Sequence, residues 1–363
     1  MSLRELAFPW DSLAEAGALA RAHPDGIVDL SVGTPVDPVP EFIRVALASV
    51  AEVPGYPATH GTPELRETAA AALRRRYGVL VEPDAVLPTI GSKELVAWLP
   101  TLLGVRAGDV VVVPELAYPT YEVGARLAGA ELVRADGLTA LGPARPKIVW
   151  LNSPSNPTGR VLPVEHLRKV VDWARERDAV VVSDECYLSL GWDEEPVSAL
   201  HPSVCGDRVD GVLAVHSLSK TSSLAGYRAG FVTGDPALVA ELLAVRKHAG
   251  MIVPRPVQAA MTAALADDEH VRVQRDRYAA RRAVLLPALT AAGFTVDHSE
   301  AGLYLWATRG EPAWDTVSWL AQRGILAAPG TFYGPTGATH VRVALTAPDE
   351  RVRAAAARLA AMH

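Results

Sequence analysis

Short apolar runs, most of them rich in valine, recur along the first two thirds of the chain and limit its fold more than any other feature. They cover residues 110–113, 148–151, 179–183, 211–216 and 229–233. Each run is too short for a buried helix and is bounded by proline, glycine or polar residues, which is typical of strands buried on both faces. Amphipathic segments separate the runs, so we predict an α/β fold whose large domain has a mostly parallel central sheet flanked by helices.

Two of the intervening segments carry the usual signals for the ends of a helix. Residues 63–77 place a proline in the first turn, arginines in the last turn and Gly78 just beyond. Residues 163–177 repeat this layout of proline and arginines. A third helix is predicted over residues 92–103, where Pro100 should introduce a kink.

The pattern changes after about residue 250. A long, arginine-rich helix is predicted over residues 268–292, followed by strands at 294–297, 303–307 and 341–345 and a final helix from Pro348. This order predicts a smaller α+β domain. We therefore expect a large domain of residues 40–250 and a small domain that combines residues 1–39 with 251–363.

Composition narrows the class of protein. The 363 residues are 49% hydrophobic and 21% charged, as is usual for a soluble globular enzyme. A formal charge of −6 without any basic run argues against nucleic acid as a partner. No apolar run approaches the roughly 20 residues of a membrane span, and the first residues do not resemble an export signal, so we expect a cytoplasmic protein. Cys186 and Cys205 form neither a disulfide framework nor a metal-ligand pattern, and we predict no metal site.

Lys220 lies in a loop of small residues, HSLSKTSSLAGYR, directly after the predicted strand 211–216. The chain has only five lysines, and Arg228 follows this one by eight residues. A primary amine in such a loop suits covalent attachment to an aldehyde cofactor, with the arginine binding a phosphate of that cofactor. The ordinary alternative is a loop lysine in a surface salt bridge.

Two further candidates are loops at the ends of predicted strands. In TIGSKEL, residues 89–95, Gly91 and Ser92 begin a helix whose free backbone N–H groups could hold a phosphate, although a plain serine cap has the same pattern. In LNSPSNPTGR, residues 151–160, two asparagines and two prolines favour a rigid loop that presents amides to a ligand, or else a simple turn.

Two charged residues complete the candidates. Asp184 ends an apolar strand in VVVSDECYLSL, where its carboxylate needs a cation such as a protonated pyridine nitrogen or an arginine. Tyr187, three residues later, could donate its hydroxyl to a ring oxygen. Arg342, in the alternating strand THVRVALT, could bind a carboxylate with two hydrogen bonds, or could lie in solvent on an edge strand.

The order of these motifs resembles that of fold-type I pyridoxal-phosphate enzymes, specifically the class I/II aminotransferases. The resemblance covers nearly the whole chain, from LSVGTPVDP (residues 30–38) through GYPATHGTPELRE (residues 55–67) to Arg342. It implies that Lys220 carries the cofactor and moves the substrate α-proton, and that Asp184 pairs with the pyridine nitrogen. It also implies that Asn156 and Tyr187 bind the phenolic oxygen.

The same resemblance assigns the remaining groups. Tyr118 would stack on the ring, and Asn152 would support the site from behind. Gly33, Asn156 and Arg342 would receive the substrate α-carboxylate. Tyr56 would reach the phosphate of a neighbouring subunit, which implies a homodimer. The residues implied around the phosphate are Gly91, Ser92, Lys93, Ser217 and Arg228.

The segments at residues 30–40 and 246–261 are similar to bacterial N-succinyldiaminopimelate aminotransferases. This similarity implies an exchange of an amino group between N-succinyl-LL-2,6-diaminopimelate and 2-oxoglutarate in a ping-pong cycle, as part of lysine biosynthesis. Arg255 is the candidate cation for a distal carboxylate. The alternatives are an aminotransferase for aspartate, alanine or aromatic amino acids, and a β-lyase or decarboxylase on the same fold. A non-catalytic regulator would need a DNA-binding segment, and we find none.

Overall fold

The computed structural model describes residues 8–361. Its helices, in chain order, are α1 (Ala14–Arg21), α2 (Glu41–Ala48), α3 (Pro63–Tyr77), α4 (Gly91–Leu102), α5 (Pro119–Leu127), α6 (Val164–Arg175), α7 (Pro202–Cys205), α8 (Pro236–Ala249), α9 (Arg255–Ala266), α10 (Glu269–Ala291), α11 (Ala313–Ala321) and α12 (Asp349–Ala360). The strands are β1 (Val28–Asp29), β2 (Val86–Ile90), β3 (Val110–Val113), β4 (Glu131–Arg134), β5 (Ile148–Asn152), β6 (Val180–Asp184), β7 (Val212–Ser217), β8 (Ala229–Gly234), β9 (Thr295–Asp297), β10 (Tyr304–Thr308), β11 (Ile325–Leu326), β12 (Ala328–Pro329) and β13 (His340–Ala344).

A seven-stranded sheet forms the centre of the molecule, in the order β2-β8-β7-β6-β5-β3-β4. Every neighbouring pair is parallel except the two pairs that include β8, which runs against the others. Helices cover the sheet, so the predicted α/β class is confirmed. All five apolar runs form strands of this sheet, because each contributes side chains to the cores on both faces.

The helix ends that the sequence signals predict are observed in the structure. In α3, Thr62 caps the first turn by accepting a hydrogen bond from the Leu65 N–H at 3.2 Å, and Gly78 ends the helix in the left-handed conformation. The long helix α10 begins after Asp268, as predicted. Helix α4 continues through Pro100 in its last turn.

Helix α5 packs closely against α4, the helix that contains a proline. Pro100 has no N–H to donate to the Val96 carbonyl one turn earlier. That carbonyl faces Gly124 of α5, where an added Cβ would lie 2.7 Å from the Val96 oxygen. The glycine therefore permits the close approach of the two helices.

A second, four-stranded antiparallel sheet has the order β12-β13-β10-β9. The N-terminal segment joins this part of the chain, because β1 pairs in parallel with β11 and Leu13, Val28 and Leu30 pack into the same core as β10 and β13. Helix α9 packs instead with α2 and α3 in a core of the large sheet. The boundaries of the two domains stay a prediction.

Among residues 8–361, no helix combines the length and the apolar character that a membrane span requires.

Candidate active site

Three neighbouring strands of the large sheet end in polar residues. Strands β5, β6 and β7 end at Asn152, Asp184 and Ser217, and Asn152 lies directly opposite Asp184 in the sheet. Because the carboxyl ends of parallel strands meet at one edge of a sheet, their loops form a common crevice.

Asp184 is almost completely buried, and burial raises the pKa of its carboxyl. Two hydrogen bonds oppose that shift: the Tyr121 hydroxyl donates to Oδ2 at 2.8 Å, and the Cys186 N–H donates to Oδ1 at 3.2 Å. No lysine or arginine within residues 8–361 lies at ion-pair distance from this carboxylate. A cationic N–H donor from a bound molecule would complete the site, whereas the alternative of an Asp–Arg pair is not observed.

Lys220 extends into the same crevice. Its Nζ donates to the Gly33 carbonyl at 2.5 Å, and the Tyr278 hydroxyl donates to the Lys220 carbonyl at 3.0 Å. Burial lowers the pKa of the Lys220 amine. More of this amine is therefore uncharged near neutral pH, which is the form that attacks a carbonyl carbon.

A concave surface at the start of α4 is shaped for an anion. Gly91 has a φ of +70°, and an added Cβ there would overlap the guanidinium of Arg228. An added Cβ at Gly230 would lie 3.1 Å from the Ser92 backbone nitrogen. The Arg228 Nη1 donates to the Ala225 carbonyl at 2.7 Å, which orients the charge toward the first turn of α4. A guanidinium and free helical N–H groups converge here, as phosphate binding requires.

Two other predicted phosphate residues border this surface. The Ser217 hydroxyl accepts from the Ser219 N–H at 3.1 Å. The Lys93 ammonium lies 5.1 Å from the centre of the Phe8 ring, and burial and the charge of Arg228 lower its pKa.

Arg342 is fully enclosed, on a strand that has neighbours on both sides. Its Nη1 donates to Asn156 Oδ1 at 2.9 Å and its Nη2 to the Ser31 carbonyl at 2.8 Å. The Asn156 N–H in turn donates to Asn152 Oδ1 at 2.7 Å, and the Asn152 Nδ2 donates to the Asp184 carbonyl at 2.9 Å. A continuous hydrogen-bonded chain thus connects Arg342 with the strand that ends in Asp184, and the alternative of a solvent-exposed arginine is wrong.

Three tyrosines close the crevice. The hydroxyls of Tyr187 and Tyr304 share a hydrogen bond of 3.1 Å, and an added Cβ at Gly33 would overlap the Tyr304 hydroxyl. Tyr118 lies edge-on to Tyr121 with ring centres 5.8 Å apart, and burial raises the pKa of Tyr118 to about 12. Burial also raises the pKa of Tyr187, so the hydroxyls of Tyr118 and Tyr187 stay protonated and can donate hydrogen bonds.

Two of the predicted site residues lie apart from this group. Tyr56 is fully exposed, and Arg255 is half-buried at the start of α9. Neither side chain has a hydrogen bond or an ion pair with another residue of the range 8–361. Tyr56 is predicted to act in a second subunit, so both assignments stay predictions.

Sequence reasoning missed Tyr121, Tyr304 and the Ser31 carbonyl. Tyr121 had a usable signal, since it follows Tyr118 by only three residues at the start of a helix. Tyr304 alternates within a strand and looked like an ordinary core residue. A backbone carbonyl such as that of Ser31 leaves no trace in the sequence.

Comparison with known proteins agrees with this geometry. The family model "Aminotransferase class I and II" matches residues 25–359. A probable aminotransferase of Mycobacterium tuberculosis is 72% identical over 97% of this chain and 84% of its own length. The 4-dedimethylamino-4-oxo-anhydrotetracycline transaminase OxyQ of Streptomyces rimosus is 62% identical over 98% of this chain and 100% of its own length.

Solved structures share the fold. An aminotransferase from Neisseria meningitidis superposes with a TM-score of 0.90 at 31% identity, covering 99% of this chain and 98% of its own. A probable N-succinyldiaminopimelate aminotransferase from Thermus thermophilus has a TM-score of 0.88 at 31% identity, covering 98% and 100%.

The residues present fit pyridoxal phosphate, the cofactor of this family. The buried Asp184 carboxylate suits the pyridine nitrogen, the surface between Gly91 and Arg228 suits the phosphate, and the Lys220 amine suits the aldehyde. The chain belongs to the class I and II aminotransferase family and is a pyridoxal-phosphate-dependent transaminase.

Proposed function

We propose that the enzyme moves an amino group between N-succinyl-LL-2,6-diaminopimelate and 2-oxoglutarate by a ping-pong mechanism, as a step of lysine biosynthesis. One observation carries the proposal: two positively charged side chains flank an aromatic pair at the site. Both proposed substrates have a second carboxylate, and a second cation would bind it.

The two cations are Arg342 and Lys93. The Arg342 guanidinium lies 5.7 Å from the Trp10 ring, which stacks on Phe8 with ring centres 5.4 Å apart. The Lys93 ammonium lies over the Phe8 ring. A substrate held by its α-carboxylate at Arg342 would pass along this aromatic surface toward Lys93. Arg255 remains the alternative anchor that the sequence predicts.

Relatives support this choice of substrate. The Thermus thermophilus protein of similar structure bears the name of an N-succinyldiaminopimelate aminotransferase. Proteins named LL-diaminopimelate aminotransferase, from Dehalococcoides mccartyi and Aquifex aeolicus, are 32% and 34% identical to this chain.

Each residue of the site has a separate role in the proposed reaction. When bound, pyridoxal phosphate supplies an electron-accepting ring that stabilises the negative charge left at the substrate α-carbon. Asp184 would hold a proton at the pyridine nitrogen, and the freed Lys220 Nζ would take the α-proton and return it on the same face. Arg342 would fix the α-carboxylate so that the Cα–H bond points at that amine. The Tyr187 hydroxyl and the Asn156 amide would donate to the phenolic oxygen.

The Tyr121 hydroxyl is expected to favour the charged form of Asp184. In Y121F that hydrogen bond is lost, so the pKa of Asp184 rises and the acid limb of the kcat/KM profile moves to higher pH. A hydrogen bond to a charged group contributes about 1.5–3 kcal/mol, so we expect the cofactor to dissociate about tenfold more readily. Cofactor titration and a pH profile measure both effects, and thermal unfolding of cofactor-free protein is the control. An unshifted acid limb would contradict this role.

A second candidate substrate is a bulky ring ketone. The relative named for a 4-oxo-anhydrotetracycline is 62% identical and matches at full length, which is far closer than any diaminopimelate enzyme among the relatives above. Aromatic side chains such as Phe8 and Trp10 could contact a flat ring system.

We also propose a homodimer. Apolar side chains of one segment are 40% or more exposed, which suits burial against a second copy. Tyr56 would then reach the neighbouring cofactor phosphate. The exposed residues are Val32, Val36, Phe42, Val45, Val53 and Tyr56. A cytoplasmic location stays a prediction from the sequence.

A substrate screen with matched acceptors tests the substrate. N-succinyldiaminopimelate is expected to exceed alanine and phenylalanine in kcat/KM by at least about tenfold, because a site built for a second charged group discriminates against substrates that lack it. K93M should lower kcat/KM for N-succinyldiaminopimelate more than for alanine. Preference for a tetracyclic ketone would favour the second candidate. Release of pyruvate and ammonia from cystathionine, without transamination, would show a β-lyase instead.

A further inference from the structure

A buried acid and a buried imidazole meet behind the crevice. Glu185 directly follows Asp184, and His216 directly precedes Ser217, so both lie one residue away from groups of the site. Their side chains are 3% and 7% exposed, and Glu185 Oε2 lies 3.7 Å from His216 Nε2. That distance is too long for a direct hydrogen bond.

Each side chain has a buried polar atom without a partner among the described residues. Glu185 Oε1 accepts from the Ser198 hydroxyl at 3.0 Å and from the Ala199 N–H at 2.8 Å. Glu185 Oε2 and His216 Nε2 are buried and have no hydrogen-bond partner within the described chain. Leaving a buried polar group unpaired costs about 1–3 kcal/mol, so two such atoms side by side indicate a third participant.

The structure has space for that participant. A cavity of about 40 Å³ is lined by both side chains, together with Arg76, Tyr77 and Ser189. This volume accommodates a water molecule, which needs at least about 10–15 Å³ and two or more polar partners. A water molecule in this cavity would lie beside Glu185 Oε2 and His216 Nε2, within hydrogen-bond distance of both.

We propose that one water molecule bridges Glu185 and His216, and that the two side chains hold a single proton whose release places a second negative charge next to Asp184. Glu185 and His216 are thus positioning residues, which act on the cofactor through Asp184. This inference rests on the role proposed above for Asp184.

The electrostatic surroundings agree with a single proton. Burial raises the pKa of Glu185 to about 7 and lowers the pKa of His216 to about 3, so between these two values the acid is mostly protonated while the imidazole is neutral. The negative charge of the neighbouring Asp184 raises the pKa of Glu185 further.

The other elements packed around the pair contribute little charge of their own. From α3, Tyr77 is neutral and Arg76 is already bonded to Asp268, with its Nε donating at 2.5 Å. From β8, the Phe231 ring stacks on the imidazole with centres 4.9 Å apart. Cys186 also lines the cavity, and it stays neutral because burial raises the pKa of its thiol well above the usual range. The uncompensated charge beside the pair is therefore that of Asp184.

The sign of the effect follows from Coulomb's law. As pH rises through about 7, Glu185 becomes an anion and raises the affinity of Asp184 for a cation. A proton on the pyridine nitrogen is then held more tightly. The enzyme would therefore gain electron-accepting strength as the acid ionises.

Infrared difference spectroscopy of cofactor-free protein tests the shared proton. Wild type should show a protonated-carboxyl band that titrates with a midpoint near pH 7 and is absent in E185Q. S198A removes a hydrogen bond that lowers the pKa of Glu185, so its midpoint should move upward, and this variant serves if E185Q does not fold. E176Q, at an exposed glutamate, is the matched control. A band that persists in E185Q, or an unmoved midpoint in S198A, overturns the inference.

The loaded enzyme tests the coupling to Asp184. The pH profile of kcat/KM should have an inflection near neutral pH in wild type and E176Q but none in E185Q. An inflection that remains in E185Q overturns the coupling. Because the infrared experiment needs neither cofactor nor substrate, its result is independent of which amine the enzyme accepts and of whether it is a β-lyase.

Discussion

Replacing Lys220 by alanine is expected to lower kcat by at least about 10⁴-fold, the largest loss of any single change considered. Two roles disappear together: covalent attachment of the cofactor and transfer of the α-proton, and proton transfer by a positioned base alone is worth about 10²–10⁴-fold. The amine that is lost is the one whose pKa burial lowers and whose Nζ contacts the Gly33 carbonyl.

Visible spectroscopy and single-turnover kinetics measure this loss. K220A should bind the cofactor without the absorption change that accompanies its attachment to lysine, and should remain folded in thermal unfolding. K247A, at an exposed lysine near the end of α8, is the matched control and should behave like wild type. Turnover of K220A at the wild-type rate would refute the assignment.

Replacing Arg342 by lysine is expected to lower kcat/KM for the amino donor by roughly 10²–10³-fold. Lysine keeps the charge but cannot offer two parallel N–H groups to a carboxylate, and removing one partner of a buried charged pair costs about 2–5 kcal/mol. It would also lose the bonds to Asn156 and Ser31 that hold the guanidinium in place.

Steady-state kinetics with several amino donors measures the loss for R342K. The effect should be similar for every donor that has an α-carboxylate, while the cofactor stays bound. Arg358 of α12 provides the control, because its guanidinium donates only to backbone carbonyls such as that of Gly324 at 3.0 Å. R358K should stay within about twofold of wild type. An equal loss in both variants would indicate a general structural effect instead.

The central strands were predictable because burial on both faces leaves a clear trace, an unbroken apolar run. Strands β2 and β4 were not, since they are the two edges of the sheet. Strand β2 contains Pro88, which an edge strand tolerates, and β4 is only partly buried and carries charged residues at both ends. Because an edge strand can include proline and charged residues, a single sequence does not distinguish it from a loop.

The polar groups at strand ends were predictable for a related reason. A residue such as Asp184 is conspicuous because it contradicts its apolar surroundings. Tyr121 does not stand out in this way, because its ring packs on Trp150 like any core aromatic, with ring centres 4.6 Å apart. Only its hydroxyl reaches the Asp184 carboxylate. A side chain whose ring packs in the core while its hydroxyl contacts a site residue cannot be recognised as functional from the sequence.

The pairing of β1 with β11 has a consequence for the order of synthesis. The Ser31 carbonyl precedes its partner Arg342 by 311 residues, so it leaves the ribosome well before that arginine. A nascent chain folds from its N-terminus as it emerges, so the cofactor crevice could assemble on an incomplete polypeptide. The carboxylate clamp could form only after Arg342 has been synthesised, because this guanidinium joins the Ser31 carbonyl to Asn156.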